Sequence, residues 1–244
     1  MIDILEHFRA PVYYHLQLLG FDLSITKAVV SMWVVVLLVF AFFWLATRRL
    51  SMVPGKIQNL AEVTIEIFQS QLAGVLGEET KKWFPFLFTL FLFILGCNLS
   101  GLIPDWFSAT SNINVTASLA IMVIIVATGA GIIKHGFFNY FRSIIPSGIP
   151  PLVLPLLIPI EVLSQLARPF SLAVRLFANV FAGHIVLLSF ISMILIFKSI
   201  LIAPLPLAGH VIVSVLELLF AFIQAFIFMF LSAVYVAEAT SSGH

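Results

Sequence analysis

The chain has 244 residues, of which 61% are hydrophobic and 9% charged, and its formal net charge at pH 7 is +1. Soluble domains carry about 25% charged residues, so this composition excludes a soluble protein and predicts an all-α integral membrane protein built from apolar helices. A net charge this small, with no basic run, argues against a nucleic-acid partner. Cys97 is the single cysteine, which excludes an internal disulfide and a cysteine-cluster metal site.

Residues 1–27 mix charged and aromatic side chains and are interpreted as a polar lead-in. They lack the basic region, apolar core and small-residue cleavage site of a secretory signal, so we expect nothing to be removed. Residues 28–49 are predicted to form the first membrane span, which ends in Arg48-Arg49. These arginines mark its cytoplasmic end by the positive-inside bias, and the amino terminus is expected outside.

Residues 54–73 alternate apolar and polar side chains with a helical period. The pattern predicts an amphipathic helix that lies along the cytoplasmic membrane surface. A surface helix packed against a neighbouring subunit would show the same pattern, and the two interpretations are compatible.

A helical hairpin is predicted next, with spans at 83–103 and 115–133 joined by the polar segment 108–114. Residues 135–150 are predicted as a cytoplasmic loop that ends in the turn-rich segment 146–151. This topology places the following cationic residues on one side of the membrane: Arg48, Arg49, Lys56, Lys81, Lys82, Lys134 and Arg142.

Two long helices complete the single predicted polytopic domain, at 155–198 and 207–238. Their apolar stretches would measure about 65 and 47 Å if fully helical, against a hydrocarbon core of about 30 Å. We therefore expect both helices to tilt steeply, although prolines 155, 159 and 169 leave open that the first is broken. The fold class is thus about five membrane-crossing helices plus the surface helix, with a cytoplasmic carboxyl terminus.

Polar residues recur every seven positions on both long helices: Glu161, Arg168 and Arg175 on the first, and His210, Glu217 and Gln224 on the second. This spacing brings each set to nearly one helix face. An arginine stays protonated, and a charge at the bilayer centre costs about 2.5 to 3.5 kcal/mol. The two stripes predict a shared hydrated seam.

Depth along the two helices divides these groups. If Arg175 and Gln224 are level, His184 lies about 13 Å and Glu217 about 10 Å outward, and Glu161 lies about 21 Å inward. Titratable side chains thus lie both outward and inward of Arg175, whose positive charge is fixed. This arrangement suits an ion path with a central barrier.

A purely structural role stays open for each of these residues. Arg175 could be a hydrogen-bonding arginine, His184 and Glu217 a buried pair, and Glu161 a contact to headgroups, while Gln224 and Asn179 could join helices. Arg168 precedes a proline and is interpreted as an interface anchor. Lys198 is predicted to snorkel to the outer interface.

Three segments resemble one family. Residues 168–179, with the sequence Arg-Pro-Phe-Ser-Leu-Ala-Val-Arg-Leu-Phe-Ala-Asn, and residues 218–235, with Gln-Ala-Phe-Ile-Phe at 224–228, resemble the two signature helices of subunit a of the F-type ATP synthase. Residues 98–104 resemble the end of that family's second span. The resemblance implies a bacterial-type stator subunit that is not an enzyme on its own and binds no cofactor. Its implied partners are the c-subunit ring, the b subunits of the peripheral stalk, lipid and the transported ion.

The resemblance also implies roles by position. It makes Arg175 the essential arginine, Gln224 its neighbour, Asn179 a polar companion, Glu161 part of the cytoplasmic half-channel, and His184 with Glu217 the outer half-channel pair; His210 and Arg168 are accessory candidates. Some bacterial members carry Glu on the first helix and His on the second, and this chain has the swapped order. The ion is a proton or sodium, and the implied location is the bacterial inner membrane, although an organelle-encoded chain would look much the same.

Two other classes of protein would show different sequence features. A secondary transporter would show an internal repeat or interrupted helices at the midplane, and the sequence shows neither. A structural scaffold would need none of the charges in the long apolar helices.

Overall fold

A computed structural model describes residues 12–15, 17–18, 21–22, 24–48, 51, 53–103, 106–143, 154–197 and 204–241. Its α-helices are α1 Lys27–Thr47, α2 Lys56–Leu76, α3 Thr80–Ser100, α4 Ile113–His135, α5 Phe137–Ser143, α6 Leu154–Phe197 and α7 Pro204–Thr240. Short 3-10 helices stand at Gly77–Glu79 and Ala109–Ser111. Five helical segments in these ranges are long and apolar enough to cross a membrane: α1, the α2–α3 segment, α4, α6 and α7. The helical membrane fold is therefore confirmed.

The polar lead-in contains two small antiparallel strand pairs. Strand β1 (Val12–Tyr14) pairs with β4 (Ile25–Thr26), and β2 (Gln17–Leu18) pairs with β3 (Phe21–Asp22). Strands of two or three residues are too short to show an alternating pattern, so residue patterns do not predict them. The outer pair ends where α1 begins.

The prediction of a loop at 135–150 is wrong in part, because α5 occupies Phe137–Ser143. Gly136, with φ of +81°, ends α4 and allows the chain to start a new helix. Seven residues show too few helical turns for a recognisable period. The predicted turn at 146–151, the position of Lys198 and the residues before Val12 lie outside the described residues.

Helix α6 is continuous although Pro159 and Pro169 lie inside it. Each proline removes one backbone hydrogen bond, and the remaining bonds of a helix this long keep it in one piece. Its 44 residues span about 66 Å, and the 37 residues of α7 span about 56 Å. Both exceed the roughly 30 Å of a hydrocarbon core, and steep tilt remains a prediction.

The core lies where α2, α3, α4, α6 and α7 meet. Fully buried side chains at this centre include Leu72, Leu87, Phe91, Ile94, Val123, Leu172, Leu176, Phe228 and Met229. Helix α6 contributes the stripe Leu172, Leu176, Val180 and Leu187, all buried. This stripe fixes the rotation of α6, so Arg175 falls outside it and is exposed.

Candidate functional site

The two long helices are joined by a hydrogen bond between side chains. Asn179 Nδ2 donates to Gln224 Oε1 at 2.9 Å. Gln224 is 2% exposed, and its Nε2 has no hydrogen-bond partner among the described residues. Because Asn179 lies one helical turn beyond Arg175, Gln224 is level with Asn179 rather than with the arginine.

Arg175 lies on an exposed strip of α6. Small residues share this strip, namely Ser171, Ala178 and Ala182, and all are exposed. Within the described part of the chain, Arg175 forms no ion pair and no hydrogen bond through its side chain. Its charge is therefore presented on a surface of small side chains.

His184 and Glu217 face each other across α6 and α7. His184 Nδ1 lies 4.0 Å from Glu217 Oε1, and their side chains are 17% and 11% exposed. Glu217 rests against Gly183, where a Cβ atom would come within 2.7 Å of Glu217 Oε1. Gly101 gives similar room to His184, since a Cβ there would lie 2.7 Å from His184 Nε2. The pair thus occupies space that two glycines leave open.

A cavity of about 300 Å³, called here the His184 cavity, opens beside this pair. Its polar lining residues are Lys27, Ser108, Ser111, His184, His210 and Ser214. His210 Nδ1 is buried and has no hydrogen-bond partner among the described residues. Two imidazoles and several hydroxyls can exchange protons with water in such a space.

A hydrogen-bond network holds the wall of the His184 cavity. Asn98 Nδ2 donates to the carbonyl of Ala221 on α7 at 3.2 Å, and Thr110 Oγ1 donates to Asn98 Oδ1 at 2.7 Å. Ser108 Oγ contacts Thr110 Oγ1 at 2.9 Å and donates to the carbonyl of Cys97 at 3.0 Å. The end of α3, the following loop and α7 are thereby fixed together.

A second cavity of about 170 Å³, called here the Glu161 cavity, lies further toward the amino end of α6. Its polar lining residues are Thr128, Tyr140, Glu161, Gln165, Arg168, Tyr235 and Glu238. Gln165 Nε2 donates to Glu161 Oε1 at 3.3 Å. Arg168 Nη1 forms an ion pair with Glu238 Oε2, and its guanidinium lies 5.6 Å from the centre of the Tyr235 ring.

Arg175 lies between the two cavities along α6. Arg168, which lines the Glu161 cavity, is seven residues away in one direction, or about 10 Å along the helix. His184, which lines the other cavity, is nine residues away in the opposite direction, or about 13 Å. The two cavities share no lining residue.

The sequence profile of a known family, described as ATP synthase A chain, matches residues 29–237. The chain belongs to the ATP synthase A chain family. Its similarity to curated proteins extends over nearly all of both chains. A protein named ATP synthase subunit a from Beijerinckia indica subsp. indica is 43% identical over 249 residues, covering 100% of this chain and 98% of that protein.

Two further relatives carry the same name. The protein from Rhodospirillum rubrum is 41% identical and covers 96% of each chain, and that from Magnetococcus marinus is 43% identical and covers 98% of this chain and 93% of its own. As a member of the ATP synthase A chain family, the chain is a multi-pass bacterial membrane protein with a part in ATP synthesis and ion transport.

The structure brings together most of the residues that the sequence singled out. Asn179 contacts Gln224, and His184 contacts Glu217. Arg168, interpreted as an interface anchor and an accessory candidate, lines the cavity of Glu161.

Several lining residues had been missed: Gln165, Tyr235, Glu238, Ser214, Ser108 and Ser111. Glu238 continues the seven-residue series of α7 at fourteen residues beyond Gln224, so its position could have been found.

Proposed function

We propose that the chain is the ion-translocating stator subunit of an F-type ATP synthase, with two offset half-channels and Arg175 beside a rotating ring of c subunits. The observation that carries this proposal is the pair of separate cavities, one holding His184 and the other Glu161, with the exposed Arg175 between them. The arginine cannot release its proton and repels a free cation, so a straight leak is blocked.

In the proposed mechanism a proton enters through the His184 cavity and passes the His184–Glu217 pair, with His210 as an accessory group. It then binds a carboxylate on a c subunit, and the neutralised site rotates through lipid. When that site returns to Arg175, the positive charge favours the ionised carboxylate. The proton leaves through the Glu161 cavity.

The surroundings of Arg175 support this exchange. Ser171, Ala178 and Ala182 are small and exposed on the same strip, and small side chains allow helices to approach closely in a membrane. A carboxylate on a neighbouring helix can therefore come near the guanidinium. Asn179 and Gln224 hold α6 and α7 together one turn away.

The subunit is proposed to be non-catalytic and to work only in its complex. Its proposed partners are the c-ring, the b subunits of the peripheral stalk, lipid and the transported proton, with the amino terminus outside and the carboxyl terminus in the cytoplasm. Each charge moved down a membrane potential releases about 2.3 kcal/mol per 100 mV. Many transfers per turn then drive ATP synthesis in another part of the complex.

The decisive experiment replaces Arg175 with Ala in the whole complex, reconstituted in vesicles. We expect normal assembly together with loss of ion-driven ATP synthesis and of ATP-driven pumping. Arg48→Ala is the matched control, because Arg48 directly follows the apolar helix α1 and its guanidinium lies over the ring of Trp44, away from both cavities. Normal coupling in an assembled Arg175→Ala complex would overturn the mechanism.

The same vesicles decide the ion. Imidazole and carboxylate side chains in the proposed path favour a proton, so pumping is expected to proceed without sodium. A strict sodium requirement would contradict this part of the proposal and leave the half-channels intact.

A further inference from the structure

The ion pair between Arg168 and Glu238 crosses from α6 to α7 at the Glu161 cavity. Both residues line that cavity, and their side chains are 30% and 51% exposed. The Arg168 guanidinium also lies over the ring of Tyr235. Two contacts from α7 therefore hold one arginine of α6.

Glu161 has a separate contact in the same cavity. It accepts a hydrogen bond from the neutral amide of Gln165, and it forms no ion pair within the described ranges. Arg168 lies seven residues along α6 from Glu161, on nearly the same face. An arginine side chain is long enough to turn toward such a carboxylate, unless another group holds it.

We propose that Glu238 is a positioning residue that holds Arg168 away from Glu161 and neutralises its charge, so that the Glu161 cavity can pass a cation. The inference rests on the proposed function, because it assigns a role within the inner half-channel. It assigns different roles to the two partners of the ion pair: Glu238 supports transport, and Arg168 is the group that must be restrained.

The physical reason is electrostatic. Without Glu238, a guanidinium that cannot lose its proton stands in the cavity with no counter-charge. It would then either pair with Glu161 or repel each cation that approaches. Loss of Arg168 has neither effect, since Glu161 keeps its Gln165 contact and no bare positive charge remains.

The test compares Glu238→Gln, Arg168→Gln and the double variant in the complete reconstituted complex. Passive proton conduction through the membrane sector and ATP-driven pumping are measured per assembled complex. Glu238→Gln is expected to slow both about tenfold, because a bare charge within a few Å of the path repels the ion. Arg168→Gln and the double variant are expected to conduct near the wild-type rate, and Glu238→Asp is expected to restore transport.

A control removes a carboxylate that lines neither the His184 cavity nor the Glu161 cavity. Glu62 Oε1 accepts a hydrogen bond from Gln58 Nε2 at 2.8 Å, and Glu62→Gln should leave conduction unchanged. If the pair only clamped α6 to α7, Arg168→Gln would slow transport as much as Glu238→Gln, and this equality would overturn the proposal. An unaffected Glu238→Gln variant would also overturn it. If Glu238→Gln fails to assemble, the double variant decides: conduction near the wild-type rate supports the proposal, and conduction about tenfold slower overturns it.

The two proposals fail separately. Normal coupling in Arg175→Ala removes the half-channel mechanism, whatever Glu238 does. An inactive Arg175→Ala beside a fully active Glu238→Gln removes only the positioning role.

Discussion

Asn179 on α6 and Gln224 on α7 form a direct hydrogen bond, with Asn179 Nδ2 2.9 Å from Gln224 Oε1. It links an exposed residue to one that is 2% exposed. The bond also fixes which end of the Gln224 amide points to Asn179, so that Gln224 Nε2 is directed elsewhere and has no hydrogen-bond partner in the described ranges. The Asn179 contact therefore satisfies only the acceptor of this buried amide.

Replacement of Asn179 by Leu should free the Gln224 amide. The lost hydrogen bond is expected to cost about 1 kcal/mol of stability, which allows assembly, and the misplaced amide should lower the pumping rate. The variant Gln224→Leu alone should lower the pumping rate to a similar extent. The double variant should lower it by less than the two single effects combined, because both changes remove the same interaction. Full additivity in pumping assays would contradict this coupling.

The fold was largely predictable because composition and apolar run length specify membrane helices directly. Features that depend on the backbone conformation of one residue could not be predicted. Gly136 ends α4 and α5 follows at once, although residues 135–150 were predicted as a loop. The prolines inside α6 were compatible with a broken or an intact helix. In the fold α6 is intact and packs along α4 and α7, and this packing adds to the backbone hydrogen bonds that the prolines leave in place.

The contact between His184 and Glu217 predicts that the two residues can be exchanged. His184→Glu alone puts two carboxylates about 4 Å apart, and Glu217→His alone puts two imidazoles together, so each single variant should lose most transport. The double exchange restores one acid and one base at the same place and should recover pumping. If both single variants pump at the wild-type rate, the pair is not part of the path.

Two glycines beside this pair should be intolerant of alanine. At Gly183 a Cβ atom would approach Glu217 Oε1 to 2.7 Å, and at Gly101 it would approach His184 Nε2 to 2.7 Å. Either change must displace a side chain of the pair, so transport should fall while assembly continues. Gly129→Ala is the control, because no atom lies within 4 Å of a Cβ there, and it should stabilise α4 by about 0.5 to 1 kcal/mol. Equal pumping rates in all three variants would contradict the role of this space.

The candidate site was predictable to the extent that a charged residue in an apolar helix is conspicuous. Arg175, Glu217 and Glu161 stand out in this way. Ser108 and Ser111 do not, because hydroxyls are common in loops, and only the fold brings them to the cavity of His184. The depth estimates assumed that Gln224 is level with Arg175, whereas Gln224 bonds to Asn179, one turn further along α6. A residue count along each helix does not say which turns of two crossing helices meet.

The final prediction concerns access to the two cavities from opposite sides of the membrane. In a Cys97→Ser background, Ser214→Cys probes the His184 cavity and Gln165→Cys probes the Glu161 cavity. Thiols react as thiolates, which form where water reaches them. An impermeant thiol reagent should therefore label Ser214→Cys from the outside only and Gln165→Cys from the cytoplasmic side only.

Ala233→Cys is the control for this labelling, because Ala233 is 0% exposed in α7, and it should react from neither side. The background change removes Cys97, which is itself fully buried. If either cavity position reacts from both sides, a continuous water path passes Arg175 and the two half-channels are not separate. If each cavity is labelled from the opposite side to the one expected, the cavities are still separate but the proposed orientation of the termini is wrong. The direction in which α6 and α7 cross the membrane determines both the side of each cavity and the side of the carboxyl terminus.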